Sequence, residues 1–153
     1  MTNECVPYYE GPYSQTLTVH AAYALVGKTF AGQLTGFQTD GPGLATDPLA
    51  ANNGGNLIAA AAPSAGGAVS GVVMWDVPIL GKAVLIRGSG TMLPMTSGAA
   101  ITAGALLKVT TAGKVITATT GAVVVGRALS TVGATDLDVV VELFSLNPAV
   151  LSA

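Results

Sequence analysis

The chain has 153 residues, of which 50% are hydrophobic and only 9% charged, with a formal net charge of −2 at pH 7. That length fits one domain with enough core to fold without a metal or a disulfide. The six basic residues, Lys28, Lys82, Arg87, Lys108, Lys114 and Arg127, form no run that could neutralise a phosphate backbone, which excludes nucleic acid as a partner. No apolar run approaches the roughly 20 residues of a bilayer span, so no membrane partner is expected. A surface this poor in charge is expected to be covered in part by partner subunits.

Residues 1–15 read as an extended N-terminal arm. Pro7, Gly11 and Pro12 oppose regular structure, while Tyr8, Tyr9 and Tyr13 offer contact area at low entropy cost. The segment lacks the basic region and apolar core of a signal peptide, so synthesis in the cytoplasm is expected. Cys5 is the only cysteine and is read as an inert thiol in a flexible arm.

Residues 16–145 read as a single β-rich domain. The stretch 16–37 is rich in Thr, Val and Phe, which is strand chemistry. Residues 38–56 are dense in Gly, Pro and Asn and read as a long loop. From 57 onward short apolar runs recur at 57–62, 68–75, 82–88, 105–111, 114–119, 122–130 and 138–144, with Gly, Pro, Thr or Asp between them. The last run has period two: Val139, Val141 and Leu143 share one face, Asp138, Val140 and Glu142 the other. The run at 122–130 is apolar on both faces and predicts a central strand covered on both sides. The Thr-Ala-Gly at 111–113 turns one run back onto the next, a hairpin signal. A short helix is expected near 97–104. Residues 146–153 read as a C-terminal tail. The pattern predicts an all-β fold, a small β-barrel or sandwich of short antiparallel strands with an extended N-terminal arm and little helix.

Residues 22–29, AYALVGKT, come within one residue of a phosphate-binding loop. Such a loop joins a buried strand to the N-terminus of a long helix, whose free amides hold the phosphates. Here Thr29 is followed by FAGQLTGF, which has no helical stripe, and Ala22 stands where the first Gly belongs. The segment therefore predicts a strand and then a turn, with Gly27 and Lys28 at a solvent edge. Gly-Ser-Gly at 88–90 lacks the third Gly and the helix of a dinucleotide fingerprint. His20, the only histidine, has no nucleophile motif to serve and reads as a strand residue. Asp136, Asp138 and Glu142 are the densest acidic group and read as a solvated strand face rather than a cation site. Asp76 fits a turn, and Trp75 a core or interface anchor. No catalytic, cofactor-binding or metal-binding residues are assigned, and no enzyme activity or cofactor is expected.

Three phrases in order carry a resemblance: SGVVMWDVPILGKAVLIRGSGTMLPM (70–95), SGAAITAGALLKVTTAGKVITATTGAVVVGRALSTVG (97–133) and TDLDVVVELF (135–144). Together they resemble the small head-decoration, or capsid cement, proteins of tailed bacteriophages. Ala105 stands where that family often has an acidic residue. The resemblance implies a β-rich structural protein on the outside of an expanded capsid, assembled as a homotrimer. Its partner would be the major capsid protein, which it would clamp against internal DNA pressure. The arm with Tyr8, Tyr9 and Tyr13 is then expected to dock on the shell, and deleting residues 2–13 to weaken docking while leaving the fold intact. Rival readings are another virion β-domain, associated with a tail tube or fibre, and a small glycan-binding module. The second would need more exposed aromatics than Trp75 and a few Phe outside the arm.

Overall fold

The computed structural model describes residues 4–37, 58–79, 81–144 and 149–150. The expected loop at 38–56 and most of the expected tail lie outside the described residues. The chain order of strands is β1 (Gln15–Ala21), β2 (Phe30–Ala31), β3 (Leu34–Phe37), β4 (Ile58–Ala60), β5 (Gly71–Val73), β6 (Lys82–Arg87), β7 (Met92–Thr96), β8 (Leu106–Val109), β9 (Val115–Thr117), β10 (Val123–Val124), β11 (Gly126–Ala128), β12 (Asp138–Leu143) and β13 (Ala149–Val150). The fold is all-β, and no helix occurs among the described residues.

Two sheets form a sandwich that does not close into a barrel. One has six strands in the order β2-β5-β6-β1-β4-β3, and the other five in the order β7-β12-β11-β8-β9. Strands β10 and β13 form a separate short pair. All neighbours run antiparallel except β1 and β4, which meet in parallel at His20↔Ala59 and Ala21↔Ala60.

The main core lies between the sheets. Phe30, Val72 and Ile86 of the six-stranded sheet meet Leu93, Met95, Leu107, Val109, Val139, Val141 and Leu143 of the five-stranded one. A second cluster, with Val19, Val73, Ala83 and Leu85, occupies the other face of the six-stranded sheet. This explains two sequence textures. Strand β12 alternates strictly between buried and less buried residues because only one of its faces is covered. Strands β5 and β6 carry consecutive buried residues, Val72–Val73 and Leu85–Ile86, because both faces are covered.

The hairpin expected at 105–119 forms. Strands β8 and β9 pair from Leu107↔Thr117 to Val109↔Val115, and Gly113 takes a φ of 75° at the turn. Two expectations need correction. No helix occupies 97–104: Ile101 instead forms a β-bridge to Val132, and Gly104 turns the chain with a φ of 87°. The run at 122–130 is not one strand covered on both sides. It breaks at Val125 into β10 and β11, and Arg127 and Leu129 face solvent. Gly126 opens β11, where a Cβ would lie 2.5 Å from the Glu142 carbonyl oxygen. Strand β7, with Pro94 in its middle, falls outside the apolar runs read from the sequence. It forms because β7 is the edge of its sheet, where a residue without an N–H is tolerated.

Candidate functional site

Residues 4–14 do not stand off the body. They form a strap along the outer edge of β7. The Cys5 amide donates to Met74 O at 2.7 Å, and the Cys5 thiol is fully buried, with Sγ 3.4 Å from Pro94 O. Burial pushes this thiol up to about 12. The flexible-arm reading of Cys5 is therefore overturned: the residue is a plug in the main core. Further along, the Tyr9 amide donates to Met92 O at 3.2 Å and the Met92 amide to Tyr9 O at 2.9 Å, which closes an antiparallel bridge, and the Tyr8 amide also donates to Met92 O at 2.8 Å. The strap thus supplies partners to an edge strand that would otherwise present open backbone groups.

Gly11-Pro12-Tyr13-Ser14 then makes a tight turn, closed by Ser14 N–H to Gly11 O at 2.9 Å. Pro at the second position and a negative φ at Tyr13 suit a type I turn. The turn rests on Gly88-Ser89-Gly90. A Cβ on Gly88, whose φ is 124°, would lie 2.2 Å from Tyr13 O, and one on Gly11 would lie 3.2 Å from Ser89 O. The Gly-Ser-Gly that superficially suggests a dinucleotide fingerprint is a seat for the strap. With the backbone held, Tyr8, Tyr9 and Tyr13 remain 68%, 54% and 69% exposed. Three aromatic rings on a fixed backbone are the most distinctive surface feature among the described residues. Because Cys5 belongs to the core, a deletion of residues 2–13 would remove a core side chain together with the tyrosines, so it does not separate docking from folding.

The segment 22–29 resolves differently. Leu25 bridges Val77, and residues 27–28 turn into β2, with no helix following. Gly27 and Lys28 are not at a solvent edge. Gly27 is buried and its amide donates to Asp76 Oδ1 at 2.8 Å. Lys28 has a left-handed φ of 61°, and its Nζ donates to Asp138 Oδ2 at 2.6 Å. The nearby cleft of about 280 Å³ is lined by uncharged residues, among them Tyr23, Leu25, Val26, Phe30, Pro63 and Ala112, with no cation to meet a phosphate. The acidic group is also engaged one residue at a time: Asp138 with Lys28, Asp136 with Lys114, and Glu142 with Arg127 at 2.7 Å. The Lys114 ammonium holds the Asp136 carboxyl below its usual range. His20 lies in β1 opposite Lys82. Asp76 has the turn role, and Trp75 is 37% exposed, close to Ile79 at 59% in the same loop. The structure therefore scatters the titratable candidates and leaves the three tyrosines exposed on one short, fixed segment.

Sequence reasoning missed the seat. The signal was present in Gly88 and Gly90, but it becomes legible only when a second chain segment lies against them.

These features define an all-β sandwich with an aromatic strap clamped over one sheet edge. No protein-family model matches the sequence, and no curated protein matches it. Among solved structures, the head fiber gp8.5 N base of bacteriophage phi29 is similar, with a TM-score of 0.61 at 12% sequence identity, covering 89% of this chain and 98% of that one. At that identity the likeness is one of fold.

Proposed function

We propose that this chain is a structural, non-enzymatic protein of a bacteriophage virion, bound to the outside of the head as a decoration protein that stabilises the expanded shell. The observation that carries the reading is the strap: a backbone fixed by Cys5, Met92 and the Gly88 seat presents three exposed tyrosines to a partner. Fixed aromatics lose little entropy on docking, so their area converts well into affinity. The likeness in fold to a phage head-fibre base, over nearly the whole of that chain, supports a place on the head. The partner proposed is the major capsid protein. Assembly as a homotrimer would multiply weak single contacts into firm attachment.

A second reading is favoured by that same comparison: the chain is the base of a head fibre. The two differ in abundance. Quantitative mass spectrometry of purified virions, scaled to the major shell protein, separates them. Copy number comparable to the shell subunit supports decoration. A much smaller number supports a fibre base, and absence from the particle overturns both.

A further inference from the structure

The strap differs from the rest of the described surface in charge as well as in its rings. Asp136, Asp138 and Glu142 are each paired with a cation of the same molecule, and Asp76 accepts from the Gly27 amide. Glu4, where the strap begins, and Glu10, between the Tyr9 bridge and the Gly11 turn, are both exposed. Among the described residues they are the acids without an intramolecular partner.

No described cation of the chain serves them. The sequence has no Lys or Arg before Lys28. Lys28 itself is spent on Asp138, and Arg127 on Glu142. Arg87 ends β6 beside the Gly88 seat, yet it forms no ion pair with either carboxylate.

The rings share the preference of the carboxylates. Tyr8 and Tyr9 lie between Glu4 and Glu10 in the chain, and Tyr13 follows in the turn. The face of a tyrosine ring is the negative end of its quadrupole and attracts a guanidinium or an ammonium. A carboxylate beside the ring adds charge-assisted hydrogen bonds to the same cation. An apolar partner covering the strap would strip both carboxylates of water and return no counter-charge. An acidic partner would be repelled.

We infer that the strap docks on a basic patch of its partner, where arginine or lysine side chains meet the tyrosine rings and the carboxylates of Glu4 and Glu10. This rests on the strap-docking reading proposed above and adds the chemistry of the partner. One consequence is a strong dependence on salt. The screening length shrinks from roughly 10 Å at 0.1 M to about 3 Å at 1 M, so affinity falls across that range.

The test uses the full chain and heads stripped of it, with co-sedimentation as the readout. The double variant Glu4→Gln, Glu10→Gln keeps the rings and removes both charges. Both sites are exposed, so the thermal midpoint should not move. Binding at low salt is expected to weaken about tenfold or more. The gap between variant and wild type is expected to close towards high salt, and Glu10→Lys to bind less well than Glu10→Gln. Wild-type binding by the double variant at low salt overturns the inference. Tighter binding by the double variant also overturns it and assigns the strap to an apolar or acidic partner. A second readout needs no heads: free chain is titrated with hexa-arginine and followed by NMR. The ring signals of Tyr8 and Tyr9 are expected to shift in wild type and to stay nearly still in the double variant, and equal shifts in both overturn the inference. If wild type ignores the heads while hexa-arginine still moves its rings, the head-binding reading fails and the preference of the strap for cations stands.

Discussion

The strap at residues 4–14 and the turn at residues 22–29 cap the same edge strand, yet they use their polar groups in opposite ways. The strap satisfies β7 through its backbone, at Met92, and through the Cys5 thiol at Pro94. Its tyrosines are left exposed. The turn also bonds β7, through Lys28 O to the Thr96 amide at 2.9 Å. But its side chains are committed inside the molecule: Lys28 to Asp138, and Thr29 Oγ1 to Val26 O at 2.6 Å. The lesson is about availability. Both segments are held by their backbones, but the strap leaves three aromatic rings exposed, whereas the turn spends Lys28 and Thr29 on intramolecular bonds and leaves the aliphatic Val26 as its only exposed large hydrophobic.

The largest test of this contrast is Gly88→Ala. The added Cβ meets Tyr13 O at 2.2 Å in a conformation that L residues avoid, so the strap turn must lift. A loss of about 3 kcal/mol is expected in urea unfolding. A loss near zero would show that the strap is not seated there.

Cys5→Ala comes next. Removing the sulfur leaves a small cavity in the main core and is expected to cost about 1.5 kcal/mol. The same variant sharpens a pH effect. The folded thiol keeps its proton up to about 12, while an ordinary thiol titrates near 9.0. Its contribution to stability is therefore complete below 9.0 and declines as pH rises from there towards 12. The urea midpoint of wild type should fall more steeply over that window than the midpoint of Cys5→Ala. Parallel curves would contradict burial of the thiol.

The smallest effect is expected from Lys28→Gly. Relief of the left-handed backbone is worth about 1 kcal/mol, and the partly exposed ion pair about 0.5 kcal/mol in the other direction. The variant should be as stable as wild type or slightly more so. A marked loss of stability would mean that the Lys28–Asp138 pair does more than the account allows.

Strand chemistry was legible wherever burial was simple. The period-two run at 138–144 became β12 with Val139, Val141 and Leu143 inside, and the Gly at 113 turned the hairpin. Legibility failed where a tertiary neighbour decides. Pro94 hides a strand unless its edge position is known. The need for Gly at 126 depends on how closely the backbone of β12 approaches. Apolar letters at 97–104 suit a helix as well as a bridge until Val132 is placed opposite Ile101. The three tyrosines could be picked out from composition alone. Their fixed backbone could not, because Gly88, Met92 and Pro94 lie far along the chain and reveal nothing of the strap locally.

The most direct measurement is co-sedimentation of the triple variant Tyr8→Ser, Tyr9→Ser, Tyr13→Ser with heads stripped of this protein. The rings are exposed, so the variant should keep the wild-type thermal midpoint. The account predicts that it stays in the supernatant while wild type pellets with the heads. A correctly folded variant that pellets like wild type would contradict the claim that the strap is the docking element.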